Sequence, residues 1–212
     1  MKLGIIPAGG NSTRFRGCPK ELLPIGKNKL MIDRAVDTLK KGGADTIMVY
    51  TNDKKINLHK SVLGNGVDYV MQDIPGMWGA MLNAFNYNAN QYMLVMPDTY
   101  VPLDIFKDEL TDDFCICYFK TKIDQRFGYI VDGEIQDKVK LPNGEYRAWG
   151  ALAWTKKVVD FWLEHLTEIT NHTDAINLAM KKFGFLKREM KFYYDLADWD
   201  DYSLLVLDVL NI

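Results

Sequence analysis

Leu3-Gly4-Ile5-Ile6-Pro7-Ala8-Gly9-Gly10-Asn11-Ser12-Thr13-Arg14 carries a short apolar run straight into a pair of glycines. The run from Leu3 to Ala8 reads as a buried strand. Glycines at its end let the backbone come close to a ligand, and successive amides in such a turn form an anion-binding nest. Pro19-Lys20-Glu21-Leu22-Leu23-Pro24 follows, so Arg14 and Lys20 add two fixed positive charges. A triphosphate attacked at its α-phosphorus develops charge on the equatorial oxygens and the leaving pyrophosphate, and this combination answers that demand. Glycines alone would suit an ordinary turn. Neither GxxxxGK[ST] nor GxGxxG occurs, so the loop is not a Walker loop or a dinucleotide fingerprint.

Outward from this loop, apolar residues at helical spacing over Lys29 to Lys41 predict a helix that Gly42-Gly43 stops. Thr46 to Thr51, Val67 to Met71 and Gln91 to Met96 read as buried strands, with a helix between the last two from Met77 to Asn88. Near-continuous apolar strands alternating with helices predict an α/β fold. Its central sheet is mixed but mainly parallel, with helices on both faces and ligands at the carboxyl ends of the strands. After Phe114 to Phe119 the pattern changes. Phe127 to Val131, Asp132-Gly133 and Glu134 to Val139 form a hairpin pattern with an Asp-Gly turn, and Arg147 to Trp154 is another strand. A small antiparallel lobe is expected there. Helices over Lys156 to Glu168 and Asp174 to Phe183, a strand over Leu186 to Leu196 and a helix from Trp199 complete the pattern.

The 212 residues, 48% of them hydrophobic, suffice for one large core, and one domain over 1–212 is expected. With 26 basic against 28 acidic side chains, the net charge of −2 offers no field for a polyanionic duplex, so nucleic acid is not expected as a partner. Cys18, Cys115 and Cys117 form no CxxC or Cys/His zinc pattern, and a reducing cytoplasm is the natural location. The N-terminal apolar run meets glycines too early for a signal peptide, and no stretch reaches membrane-spanning length, so no membrane is expected as a partner. Homo-oligomerisation is left open.

Ala8-Gly9-Gly10, Thr13-Arg14, Pro19-Lys20, Leu22 and Pro24 fall in register with A-G-G-x-G-T-R and P-K-x-L-x-P. That run resembles the signature of the sugar-phosphate nucleotidyltransferase family, with Ser12 standing where the family has glycine. The resemblance implies a Rossmann-like, GT-A-type nucleotidyltransferase fold. About 1–120 would be a nucleotide-binding half and about 121–212 an acceptor-binding half. It makes Ala8, Gly9, Gly10, Asn11, Ser12 and Thr13 nucleotide contacts, gives Arg14 the leaving pyrophosphate and gives Lys20 the phosphates across the reacting bond. Gln72 with Pro75-Gly76 and Gly79-Ala80 is similar to the element that reads the base, implying Gln72, Gly76 and Gly79 as base contacts. Trp78 beside them is read as core. Met96-Pro97-Asp98 resembles the family's G-D-N, and Tyr194 to Tyr202 resembles W-x-D-x-G-T-P-E-x-L. These imply Asp98 and Asp195 as ligands of Mg2+, with Asp198 as the cap of the last helix and Ala197 in place of a glycine. Magnesium prefers one or two carboxylates plus substrate phosphates.

Phe127-Gly128-Tyr129, Asp137-Lys138 and Trp149-Gly150-Ala151 follow the order of the family's Y-G-V, E-K-P and T-G-x-Y. By that comparison Gly128 and Gly150 give close backbone contact to the acceptor, Asp137 accepts from its hydroxyls and Lys138 neutralises its phosphate. Lys140 is the rival cation. The implied reaction is attack by a sugar 1-phosphate on a nucleoside triphosphate, in nucleotide sugar biosynthesis, with Arg14, Lys20 and Lys138 spreading charge and no histidine required. A non-sugar phosphate acceptor, such as phosphocholine or a phosphorylated amino-acid derivative, and a catalytically silent nucleotide-binding module are the alternatives. A glycosyltransferase would be expected to show D-x-D where Asp98-Thr99-Tyr100 stands.

Overall fold

The computed structural model describes residues 1–123, 125–142 and 144–210. In chain order they form β1 (Lys2–Pro7), β2 (Pro24–Gly26), β3 (Lys29–Leu30), α1 (Met31–Lys41), β4 (Thr46–Thr51), α2 (Ile56–Leu63), β5 (Asp68–Met71), α3 (Gly76–Phe85), β6 (Gln91–Val95) and β7 (Thr99–Tyr100). There follow β8 (Phe114–Thr121), β9 (Gly128–Val131), β10 (Glu134–Asp137), β11 (Tyr146–Thr155), α4 (Lys156–Glu164), α5 (His172–Phe183), β12 (Leu186–Glu189), β13 (Tyr194–Asp195) and α6 (Trp199–Leu205).

Strands β5, β4, β1 and β6 lie side by side and parallel, and β11 joins β6 antiparallel. On its other side β11 pairs antiparallel with β8, which takes β12 in parallel at the edge. Strand alternation sorts the core into two layers. Leu3 and Ile5 of β1, Tyr92 and Leu94 of β6 and Leu152 and Trp154 of β11 meet the apolar sides of α3, α4 and α5. Ile6, Met93, Val95, Ala151 and Ala153 point the other way, toward Ile32, Ala35, Val36 and Leu39 of α1. The first layer is aromatic: Trp162 packs against Trp154, Phe114, Phe85 and Trp78, and its indole N–H donates to the Ala175 carbonyl at 2.7 Å. Trp78 is therefore core, as read from the sequence.

Ala148 and Ala151 both join the α1 layer although they are three residues apart, because the β11–β8 register shifts between Trp149 and Ala151. The bulge at Gly150 bends β11. Its later half pairs with β6, while Ala148 pairs with Tyr129 of β9, which turns with β10 into an antiparallel hairpin. The small lobe is thus an extension of the main sheet. Bulges commonly redirect a strand beside a functional cleft in this way.

Two expectations need correction, and one helix is new. The apolar run Leu186 to Leu196 is not one strand. Its first part pairs with β8, Met190 still donates its N–H to the Tyr118 carbonyl, and the chain then leaves the sheet for a separate ladder between β13 and β7. The helix expected over Lys156 to Glu168 stops at Glu164, where His165 leaves helical geometry, and a 3-10 turn covers Leu166–Glu168. Helix α2 was not foreseen. Only His59 of its residues is buried, so it lacks the apolar stripe by which a helix is recognised.

Candidate active site

At the carboxyl ends of β1 and β6 a cavity is lined by Ala8, Gly10, Ser12, Thr13, Arg14 and Lys20 from the glycine-rich stretch and by Met96, Pro97 and Asp98 from beyond β6. Ser12 stands at φ 49°, ψ 39°, a left-handed conformation that glycine adopts freely and serine does not. Its hydroxyl compensates by accepting, at 3.4 Å each, from the Lys20 amide and the Lys55 ammonium. Gly9 and Asn11 belong to the same turn but do not line the cavity. The Gly9 carbonyl accepts from Asn52 Nδ2 at 2.8 Å.

Gln72 lies behind this turn. Its Nε2 donates to the Gly76 carbonyl, and a Cβ on Gly9 would fall 2.6 Å from its Oε1. Gly79, in the first turns of α3, packs so closely on the preceding loop that a Cβ would sit 1.9 Å from the Ile74 carbonyl oxygen. Gln72, Gly76 and Gly79 therefore form one tight unit beside the cavity, with Gln72's amide nitrogen already engaged.

Asp98 and Asp195, far apart in sequence, are brought together by backbone pairing. Asp195 is in register with Thr99, and the Leu196 amide donates to the Asp98 carbonyl at 3.1 Å. Asp98 is only 7% exposed. Its Oδ2 is ion-paired with the Lys20 ammonium, which also donates to the Leu196 carbonyl at 3.0 Å, while its buried Oδ1 has no hydrogen-bond partner. Burial first, and then the Asp98 charge, push the Asp195 carboxyl above its ordinary value, with Lys20 and Arg126 pulling it back. Two adjacent carboxylates, one with an unpartnered buried oxygen, are hard oxygen donors of the kind a divalent cation takes, with Lys20 on the first and Arg126 on the second. No group of three or more metal-ligating side chains occurs among the described residues; magnesium in general binds through one or two carboxylates plus substrate phosphates. Asp198 caps α6, its Oδ1 accepting from the Asp200 and Asp201 amides at 3.1 Å each.

Asp98 and Met96 also line a second cavity, which runs between β11 and the β9–β10 hairpin. Gly128, Asp137, Gly150 and Asp195 line it as well. A Cβ on Gly128 would meet Trp149 Nε1 at 2.4 Å, and one on Gly150 would meet the Tyr193 ring at 2.5 Å, so both glycines let aromatic rings lie against the backbone. Lys138 does not line it. It is an exposed turn residue at φ 51°, as Lys140 is also exposed, and its amide closes the hairpin onto the Phe127 carbonyl at 2.8 Å.

The cation that does line this cavity is Arg126. It is held bidentately by Asp201 at 2.6 and 2.8 Å, and it donates to the Asp195 carbonyl at 2.8 Å and to Asp195 Oδ2 at 3.3 Å. His172, at the start of α5, is a further lining residue absent from the sequence reading. It tilts against Trp149, and burial lowers its imidazole from the ordinary value against the opposing pull of Asp137 and Asp174. Nothing local in the sequence marks Arg126, Lys55 or His172, because each reaches its cavity through partners distant in the chain.

Residues 4–102 match the MobA-like NTP transferase domain family. No curated protein matches the chain by sequence. Among solved structures it is similar to a Bacillus anthracis protein assigned as a glucose-1-phosphate thymidylyltransferase and bound to sucrose, at 22% identity and TM-score 0.85, over 100% of this chain and 96% of that one. A UTP-bound UGPase from Acinetobacter baumannii aligns at 18% identity and TM-score 0.75, over 98% and 92%. The inositol-1-phosphate CTP transferase of T. maritima aligns at 16% identity and TM-score 0.68, over 97% and 95%. These likenesses show a shared Rossmann-like fold with a mixed, mainly parallel sheet. The match at residues 4–102 covers just under half of the chain, and together with the shared fold it supports a nucleotidyltransferase enzyme.

Proposed function

We propose that the enzyme joins a nucleoside triphosphate to a sugar 1-phosphate, giving a nucleotide sugar and pyrophosphate. The observation that carries this reading is that Asp98 lines both cavities, so a nucleotide in the first and an acceptor in the second would meet at one carboxylate. An acceptor phosphate oxygen attacks the α-phosphorus in line. The new P–O bond forms as the bond to the β-phosphate bridging oxygen breaks, and pyrophosphate leaves with that electron pair. No proton transfer and no covalent enzyme intermediate is required.

The loop amides around Gly10 and the Arg14 and Lys20 charges bind the triphosphate and stabilise the charge that builds on it. Asp98 and Asp195 would hold a magnesium ion, which would shield the phosphate charges, and Lys20 would turn from Asp98 to the triphosphate. Gln72 and Gly79 shape the floor against which the base would lie, and Asp137 accepts from acceptor hydroxyls. Arg126 takes the place facing the acceptor phosphate that the resemblance gives to Lys138.

The second cavity favours one further reading. Its walls include Phe127, Trp149, Tyr193 and His172 together with Asp137, and its one cation, Arg126, is already matched by two carboxylates. Aromatic faces beside an unpaired carboxylate suit a cationic group on the acceptor, such as the ammonium of a phosphorylated amino alcohol. Pyrophosphate release with magnesium, from each common triphosphate against sugar 1-phosphates and amino-alcohol phosphates, separates the two. Turnover confined to one acceptor class decides between them. Absence of turnover with every pair, despite nucleotide binding, would leave the silent module.

A further inference from the structure

Beneath the glycine-rich loop lies a chain of buried polar groups that the sequence signature does not contain. Thr51 Oγ1 meets His59 Nδ1 at 2.9 Å, His59 Nε2 meets Glu21 Oε1 at 3.2 Å, and Glu21 Oε1 accepts from the Lys55 ammonium at 2.7 Å. Lys55 donates again to Ser12 Oγ. Glu21 is 2% exposed, His59 0% and Lys55 6%, so the cluster is sealed from bulk water except where Lys55 and Glu21 touch the first cavity. Burying an ion pair brings little net stability, because desolvation offsets the attraction. A buried lysine beside a phosphate-shaped nest calls for another reason.

That reason lies in its donor count. An ammonium has three N–H groups. One is engaged by Glu21, a second weakly by Ser12, and the cavity wall is where the third can point. Asn52 fixes the height of this lysine, since its Oδ1 accepts from the Lys55 amide at 3.1 Å while its Nδ2 holds the Gly9 carbonyl. Loop and lysine are thereby tied to one side chain.

We propose that Lys55 is a third phosphate-binding cation of the triphosphate site, aimed by Glu21 and His59 and seated under Ser12. The proposal rests on the first cavity being the triphosphate site. Its seat under Ser12, paired with Glu21 and not with the Asp98 carboxylate that Lys20 holds, assigns it to the phosphates that leave and not to the one that is attacked. Lys55 therefore discriminates triphosphate from monophosphate, and its loss weakens binding before it slows chemistry.

The test compares equilibrium binding of the preferred triphosphate and its monophosphate, with magnesium, to the wild type, Lys55→Met and the double variant Lys55→Met/Glu21→Gln. Thermal unfolding checks each fold. The double variant removes the carboxylate that the single change leaves unpaired. The expected result is a loss of tenfold or more in triphosphate affinity in both variants, with monophosphate affinity within twofold of wild type. Lys55→Arg should recover part of the loss. If the double variant restores triphosphate affinity, Lys55 is only the counter-ion of Glu21 and the proposal fails. An equal loss for both nucleotides would overturn it too, by pointing to a general collapse of the loop. A wild type that binds no triphosphate at all would refute the site reading itself.

Discussion

Lys20 illustrates how one side chain can be legible in sequence and still hold a surprise. By resemblance its place after Pro19 makes it a proposed phosphate ligand, yet it is paired with Asp98 and the Leu196 carbonyl. On the proposed reading a triphosphate would displace a contact in order to bind. Lys20→Ala should lower turnover by roughly 100-fold, as removal of a single electrostatic donor does elsewhere, read as the rate of pyrophosphate release. Glu21, its neighbour, gives a pH prediction. Burial alone would raise its carboxyl, but the His59 hydrogen bond and the Lys55 charge outweigh burial and hold it below the ordinary 4.5. A depressed carboxylate contributes stability above its unfolded value, and that contribution is lost as pH falls through the folded one. Glu21→Gln should therefore cost about 3 kcal/mol at neutral pH, because it leaves Lys55 buried without its partner. The gap to wild type should narrow below pH 4.5 in denaturant titrations repeated across the acid range, and a gap that stays constant would exclude the ion pair as its source.

Among the elements, those with strong periodic patterns were legible and those defined by distant partners were not. Strands β1, β4, β5 and β6 announce themselves as apolar runs, and the Asp132-Gly133 turn marks the β9–β10 hairpin. Strand β7 is two residues long and exists because β13 crosses to it, so no local signal could find it. That same ladder sets Asp195 beside Asp98, which is why the second carboxylate was readable by resemblance but not by pattern. Arg126 is a similar case, since its partners lie in β13 and α6. Helix α3 carries a prediction of its own. Gly79→Ala would force the helix away from the Ile74 carbonyl and pull Gly76 from Gln72. The expected outcome is a loss of about 3 kcal/mol from overpacking, together with weakened discrimination among triphosphate bases in competition assays.

At the scale of the whole molecule, the predicted fold class matches the observed mixed sheet with helices on both faces. The expected nucleotide and acceptor halves share that sheet, because five pairs between β6 and β11 join them through its centre. Chemical unfolding should then be a single transition, coincident in tryptophan fluorescence and far-UV circular dichroism. Magnesium with triphosphate at 100 times its dissociation constant should add about 2.7 kcal/mol to the whole, seen as one shifted melting curve and not as stabilisation of one half. Two separate transitions would show that the shared strand does not couple the halves. The bend in β11 at Gly150 has a consequence for the history of such an enzyme. One continuous strand runs from beside β6 in the sheet's core to the wall of the second cavity, so on the proposed reading the separation of the two substrates would be built in like the gauge of a railway. On the proposed reading, new acceptors would be recruited by changing the hairpin together with Trp149, His172 and Tyr193, which share the cavity wall, while the track and the nucleotide it carries stay the same.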